Sequence, residues 1–422
     1  MPTRRARNAV YAVFFVAGFA FASWASRIPQ VRGELRVTPG VLGLVLLCTA
    51  IGSTFATPLS GLIVAWLGES RTVIAMSLVS AAGLTTVAVG YTHGIPPVAA
   101  GLFMFGFGGS TWDVAMNVQG AAVEQALGRA IMPRFHAGWS IGTVAGAGVG
   151  AVMVALGVPV TAHLLAVALA VAITAPAAAR RFLPSTGTRP RARTRTRDRA
   201  GAGPGAGPRA SGPAEQEAVT LRRSPLKAWT EPRTLLIGVF VLCMTFSEGT
   251  GNDWLSLGII GGYHTSAVLG TLTFAAFLAA MTAGRWFGPR LIDRHGRVRV
   301  LRACAATALA GLVLIEIGAD WPVALGGAVL MGLGTSLGFP VGISAAADDP
   351  VHAPGRVSTA ASIGYAAFLA GPPVIGFLAD RIGVLHSLSV AGLLLACAFV
   401  LARYTAPIGT AGQLSRASAR GE

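Results

Sequence analysis

The sequence predicts an all-α membrane protein: twelve transmembrane helices arranged as two pseudo-symmetric six-helix bundles. Three observations carry that expectation. Hydrophobic residues make up 53% of the 422 residues and charged residues only 12%, against about 25% charged in an ordinary soluble domain. Apolar runs of the ~20 residues that a bilayer-crossing helix needs recur along almost the whole chain. Short segments of the first half also return, in the same order, in the second. This composition excludes a disordered protein and argues against a single soluble core. The net charge of +16 would suit a nucleic-acid binder, but its distribution points elsewhere.

In the first half the expected spans are 8–27, 40–67, 72–91, 96–122, 134–157 and 159–179. The first follows Arg4, Arg5 and Arg7. A charged start and an apolar stretch also describe a secretory signal. This stretch is longer than a typical signal core and more spans follow, so it is read as an uncleaved helix. Pro29 and Pro39 bracket the first outer loop, and Pro96–Pro97 opens span 4. In the second half the expected spans are 234–257, 266–289, 299–318, 322–346, 357–379 and 385–403. Pro322 follows Trp321, an aromatic of the kind found at membrane interfaces. The resulting plan is a bundle over 1–179, a linker over 180–233, a second bundle over 234–403 and a tail over 404–422.

The linker alternates arginine with small polar residues and includes the low-complexity run AGAGPGAGPRASGP at 200–213. It has too little apolar area to repay ordering and is expected to be mostly disordered, with arginines suited to anionic lipid headgroups. Most of the positive charge lies in the N-terminal arm, the linker and the loop after span 8. By the positive-inside rule these parts, and with them both termini, are cytoplasmic in the membrane of a bacterial cell. The charge therefore reads as topology, and no nucleic-acid partner is expected.

Arg134 to Gly142 aligns with Arg356 to Gly364 at an offset of 222, with Arg, Ser, Ile and Gly matching. Gly106, Gly108 and Ser110 align with Gly332, Gly334 and Ser336 at an offset of 226. Two parallel repeats of six helices are the architecture of a secondary transporter with its site between the halves.

The loop after span 8 reads Asp293-Arg294-His295-Gly296-Arg297-Val298-Arg299. It resembles the D-R-x-G-R-x-R signature of the major facilitator superfamily. After span 2 the equivalent is degenerate, with Ala65 and Trp66 where the signature has Asp-Arg, although Gly68 and Arg71 remain. SWASRIP at 23–29, WDVAMNVQG at 112–120, IMPRFHAGWSIG at 131–142 and EGTGNDW at 248–254 resemble the MosC/YbjJ-like branch of that superfamily. The resemblance covers both halves and excludes the linker. It implies the superfamily's fold and a transport role, with an inositol-type amine as solute for one relative. It also implies a conformational latch at Asp293, Arg294, Gly296 and Arg297, whose other reading is a positive-inside anchor.

Ionisable groups inside spans are costly and mark candidate sites. Asp113 lies deep in span 4 with Asn117 at i+4, a pairing suited to a hydroxyl, an amine or a proton; the alternative is a polar pair holding span 4 to a neighbour. Glu124 ends that stripe and is expected in solvent. In span 7, Glu248 and Asn252 share a face. Asp253 points elsewhere, as a helix cap or in an outer vestibule. His136 opens span 5, as a packed residue or a proton relay. Arg27 ends span 1, snorkelling to the interface or attracting an anion. Arg285 is expected to snorkel or support the latch. Trp24, Trp112, Trp139 and Trp254 stand beside these polar residues as platforms for a sugar or cyclitol ring, or as interfacial anchors, a reading that fits Trp112 least.

The four cysteines, Cys48, Cys243, Cys304 and Cys397, lie in apolar runs without metal-ligand spacing, so neither metal nor cofactor is expected. No phosphate-binding loop occurs and no catalytic constellation is evident. The reading is thus not an enzyme but a monomeric secondary transporter of a small polar organic solute, sugar- or inositol-like, with proton coupling through Asp113 or Glu248 as a further hypothesis. An exporter of drugs or metabolites, and a non-transporting membrane sensor, are the alternatives.

Overall fold

The computed structural model describes residues 2–128, 131–184, 225–349 and 352–408. The first bundle consists of α1 (Pro2–Ala25), α2 (Ile28–Leu35), α3 (Pro39–Leu67), α4 (Glu69–Gly90), α5 (Ile95–Leu127), α6 (Met132–Ala155) and α7 (Val160–Ala179). After a 3₁₀ turn at Pro225–Thr230 come α8 (Pro232–Gly262), α9 (Ala267–His295), α10 (Arg297–Ile317), α11 (Trp321–Thr335), α12 (Gly338–Ala346), α13 (Ala353–Ile382), α14 (Val384–Ser387) and α15 (Ser389–Leu401). Spans 1 to 6 are α1, α3, α4, α5, α6 and α7. Spans 7 to 12 are α8, α9, α10, α11 with α12, α13, and α14 with α15. The expected spans are all present, with ends moved by a few residues. Two of them are broken helices rather than single ones, and the first outer loop holds α2. Pro29 lies in the first turn of α2, where its fixed φ suits a helix start and its missing N–H costs nothing. Most of the expected linker, residues 185–224, and residues 409–422 of the tail lie outside the described residues.

Eleven of these spans are long and apolar enough to cross a membrane by length and composition, and α5 falls short. That helix carries Trp112, Asp113, Asn117, Gln119 and a run of glycines. It crosses by spending hydrophobicity on the protein interior, as a helix lining a polar site must.

The caps explain the tight connections. Thr38 caps α3 by accepting from the Val41 N–H, Ser266 caps α9 by accepting from Leu269, and Asp320 caps α11 by accepting from Val323. Gly68, Gly296 and Gly383 end α3, α9 and α13 at φ 78°, 80° and 82°, a region where a Cβ is strained. Each hands the chain directly to the next helix.

The repeated glycines do the same job in both halves. Gly106 of α5 packs against the backbone carbonyl of Thr49 in α3, and Gly332 of α11 packs against that of Phe277 in α9. Gly108 meets Met76 and Ser80 of α4, while Gly334 meets Cys304 and Ala308 of α10. Without a hydrophobic drive between helices in lipid, such backbone-on-backbone approach is what joins them. The sequence repeat is thus a repeat of contacts, and the two bundles are pseudo-symmetric.

The bundles meet along two seams, α3 against α13 and α6 against α9. On the face that carries the linker ends, charges are knitted within the second bundle. Asp348 accepts from Arg297 at 2.9 Å and Arg233 at 2.9 Å, and Arg356 binds both Glu231 and Asp349. The hydrogen bond from Arg356 holds the Glu231 carboxyl below the usual carboxylate range. In the first bundle Glu124, expected in solvent, also accepts from the Ile131 and Met132 N–H groups at 2.6 and 2.7 Å and caps α6.

Gly332→Val should lower stability by roughly 1–3 kcal/mol through overpacking against a backbone that cannot retreat. Gly148→Ala, which meets open space, should be neutral or slightly stabilising. Thermal unfolding of the detergent-purified variants by circular dichroism checks both.

Candidate functional site

A cavity of about 1790 Å³ lies between the bundles. Its walls come from α1, α3, α5 and α6 on one side and from α8, α9, α12 and α13 on the other. It reaches Arg134, Arg297, Asp348 and Pro407 at the linker face, and no residue of the opposite, hairpin-face loops lines it among the described residues. On that opposite face the start of α3 is packed against the end of α13, Gly43 on Pro372 and Gly376 on Pro39. The cavity is open on the linker face and closed on the hairpin face.

Helical register puts the polar groups on its walls. Trp112 and Asp113 of α5 both face it, and the Asp113 side chain is open to the cavity although it lies mid-helix. Tyr365 of α13 lines the same cavity from the second bundle. Asn117 is placed differently: it does not line the cavity, and its amide donates to the Asp113 backbone carbonyl at 2.8 Å. His136 of α6 is exposed to the cavity beside the Phe14 ring, 5.2 Å between centroids, and within electrostatic reach of Arg285. Trp24 and Trp139 line the same chamber, Trp139 stacked on Phe21.

From the second bundle, α8 contributes Thr245, Glu248, Asn252 and Asp253. Asp253, expected on another face, therefore joins its neighbours. The glycines at 249 and 251 do not break the helix, and Gly251 instead makes room for the Phe277 ring. Trp254 is fully buried and is a core residue rather than a platform. Glu248 is not free. Arg285 of α9 donates to it at 2.8 Å and to the Ser336 carbonyl at 3.3 Å. This pair is the feature of the candidate site that sequence reasoning missed, since Arg285 was expected to snorkel or serve the latch. The available signal was that an arginine this far inside a span needs an anion, and Glu248 was the one carboxylate of the preceding span on a suitable face.

Arg27 also departs from expectation. It is 2% exposed, outside the cavity, and donates to His163 Nδ1 at 2.9 Å and to the Val158 carbonyl at 3.1 Å. It ties α1 to α7 and to the turn before it. At the latch, Gly296 makes the turn and Arg297 is held by Asp348, while Asp293 and Arg294 are exposed without an ion pair among the described residues.

Three buried side-chain atoms on residues of the cavity wall have no partner: Trp112 Nε1, Thr245 Oγ1 and Asn252 Oδ1. One is a donor, one an acceptor and one can be either, and both bundles contribute. Groups of His, Cys, Asp and Glu that could hold a metal ion are absent among the described residues.

A sequence profile of the Major Facilitator Superfamily matches residues 10–366 and 254–419. The chain belongs to the major facilitator superfamily. Among its relatives in this superfamily are the uncharacterized transporter y4wD of Sinorhizobium fredii, 30% identical over 93% of this chain and 96% of that protein, and an uncharacterized MFS-type transporter of Yersinia pestis, 32% identical over 90% and 89%. The membrane protein MosC of Rhizobium meliloti is 26% identical over 93% of this chain and 89% of its own. The nucleoside transporter NupG has a similar fold, with TM-score 0.69 at 14% identity, covering 94% of this chain and 98% of its own. A bacterial homolog of the human lysosomal transporter Spinster, inward-facing and unoccupied, gives TM-score 0.70 at 11% identity over 96% and 98%. The twelve-helix superfamily fold and a multi-pass membrane transporter follow, and membership places the chain in transport rather than catalysis.

Two predictions test the placements. Arg27→Ala leaves His163 Nδ1 and the Val158 carbonyl without their donor, and should cost roughly 2–4 kcal/mol of stability in detergent unfolding. Glu248→Ala and Arg285→Ala should each destabilise the protein more than the double variant would imply. The expected coupling in a double-mutant cycle is about 1 kcal/mol, tempered by the water the cavity admits.

Proposed function

We propose that this superfamily member is a secondary active transporter of the cell membrane, acting as a monomer with both termini cytoplasmic. It carries a small polar organic solute, sugar- or inositol-like, by rocking one bundle on the other. The observation that carries the solute class is the set of partnerless wall atoms, Trp112 Nε1, Thr245 Oγ1 and Asn252 Oδ1. A buried polar atom without a partner is costly, and small side-chain rotations that bring these atoms to the cavity surface let a hydroxyl-rich solute satisfy donors and acceptors from both bundles. The indoles of Trp24 and Trp139 offer the apolar faces that a sugar or cyclitol ring stacks on. Drugs or lipophilic metabolites would leave those polar atoms unanswered.

The geometry divides the carboxylates by task. Glu248 is neutralised by Arg285 and acts as a fixed charge. Asp113 and Asp253 reach the cavity with no ion pair among the described residues, which leaves them to take a proton or a positive group on the solute. Asp113, exposed mid-helix on the first bundle in the cavity that Tyr365 lines from the second, is the preferred coupling residue. With the linker face taken as cytoplasmic, the cavity's opening on that face supports reading this conformation as inward-facing.

A thermal-shift screen of the purified protein against sugars, cyclitols and amines should yield a stabilising solute. Asn252→Ala and Trp112→Phe should each weaken it about fivefold for one lost hydrogen bond. If only lipophilic compounds stabilise the protein, the solute class is wrong. In proteoliposomes, Asp113→Asn should abolish uptake driven by a proton gradient while leaving solute exchange. Gradient-independent uptake in the wild type would remove proton coupling from the proposal.

A further inference from the structure

The turn after α13 repeats the turn after α9. Asp380-Arg381-Ile382-Gly383 has the register of Asp293-Arg294-His295-Gly296. Gly383 and Gly296 share the same left-handed conformation, φ 82° and 80°, so each aspartate stands on the last turn of its helix, three residues before the break. The two lie on opposite faces of the molecule and are in opposite states. Asp293, on the open linker face, is exposed and without a partner among the described residues. Asp380, on the closed hairpin face, is engaged across the seam. Its Oδ1 accepts from the Gly40 N–H of α3 at 3.0 Å, and its Oδ2 accepts from Thr38 Oγ1 at 3.3 Å. Arg32 of α2 lies within reach of its charge.

The chemistry is that of a helix cap supplied by the other bundle. Thr38 caps its own helix through Val41 and leaves the Gly40 N–H free. A carboxylate at a helix N-terminus is favoured both by that donor and by the helix dipole. Position 40 must be glycine for the approach, because a Cβ there would occupy the place of the Asp380 carboxylate. The pseudo-symmetric seam has no counterpart. Ser266 occupies the position of Thr38 at the start of α9, but the end of α6 facing that seam, Val152 to Gly157, carries no carboxylate.

We infer that Asp380 is a positioning residue of the transport cycle, the hairpin-face latch that works in opposition to Asp293. It caps α3 only when the hairpin face is closed, so opening that face requires the start of α3 to leave it. The population of the two states is then set by which aspartate is engaged. This inference rests on the alternating-access reading above.

The test uses the full-length protein in vesicles of both orientations, with Cys48 and Cys397 replaced by serine and Ala366→Cys as reporter on the cavity wall. An impermeant maleimide is added from one face at a time. Asp380→Asn should raise labelling from the hairpin face about fivefold and lower it from the linker face. Asp380→Glu should restore much of the wild-type pattern. Gly40→Ala, which displaces the carboxylate without removing it, should act like Asp380→Asn and covers the case in which that variant folds poorly. Asp293→Asn should leave the hairpin-face rate low or reduce it further. Wild-type labelling from both faces in Asp380→Asn and Gly40→Ala, in a reporter protein that does label from both faces, overturns the latch alone. A reporter that no variant and no condition labels from the hairpin face overturns alternating access, and the latch with it.

Discussion

Inside a bilayer no solvent answers an unpaired hydrogen-bonding group, so every polar atom must find its partner within the protein. That constraint organises this structure more than any single contact. The backbone satisfies it by being helical along the spans, with short turns only at the breaks in spans 10 and 12. Serine and threonine satisfy it by bonding back to their own helix, as Thr111 does to the Phe107 carbonyl and Thr250 to that of Phe246. Arg27 satisfies it with a neutral imidazole and a carbonyl, without any carboxylate. Among the side-chain atoms that remain unsatisfied, Trp112 Nε1, Thr245 Oγ1 and Asn252 Oδ1 belong to residues of the cavity wall, while others, His163 Nε2 among them, lie elsewhere in the bundles.

Pseudo-symmetry then separates what the fold needs from what the site needs. Glycines 106 and 332, or 108 and 334, make matching contacts because the bundles need them for close approach. The polar residues do not match. Glu124 caps the next helix, whereas Asp348, just beyond α12 in the second bundle, binds two arginines. Ala65 and Trp66 stand where the second half has Asp293 and Arg294. A repeat conserves packing, while chemistry is written on one copy at a time.

The same distinction explains what was legible in the sequence. Span number, the repeat and the family are long-period signals, set by hydropathy and by glycines at fixed spacing, and they survive small errors of register. Asp113, Glu248, Asn252 and His136 were readable because a polar side chain in an apolar span has few other reasons to exist. Direction was harder. Asp253 differs from Asn252 by one step of about 100°, yet both reach the cavity, because the chamber is wide enough to expose a broad arc of α8. Trp254, one step further, is sealed in the core. Arg27 and Arg285 were both given as snorkelling candidates, and neither snorkels. Which partner lies opposite, His163 for one and Glu248 for the other, depends on tertiary packing that spacing along one helix does not encode.

The distribution of groups between the bundles also bears on why a solute would be carried across. The first bundle offers Trp24, Trp112, Asp113, His136 and Trp139, and the second offers Thr245, the Glu248–Arg285 pair, Asn252 and Asp253. Neither set alone encloses a ligand. A solute held by both adds contacts that join the bundles mid-membrane, where neither face's latch acts. On the proposed latch cycle, releasing Asp380 before Asp293 engages would leave the empty protein in an intermediate short of partners on both faces. In the loaded protein the solute's own bonds compensate for part of that loss. Its differential affinity for the intermediate, and not its affinity as such, is what lowers the cost of crossing.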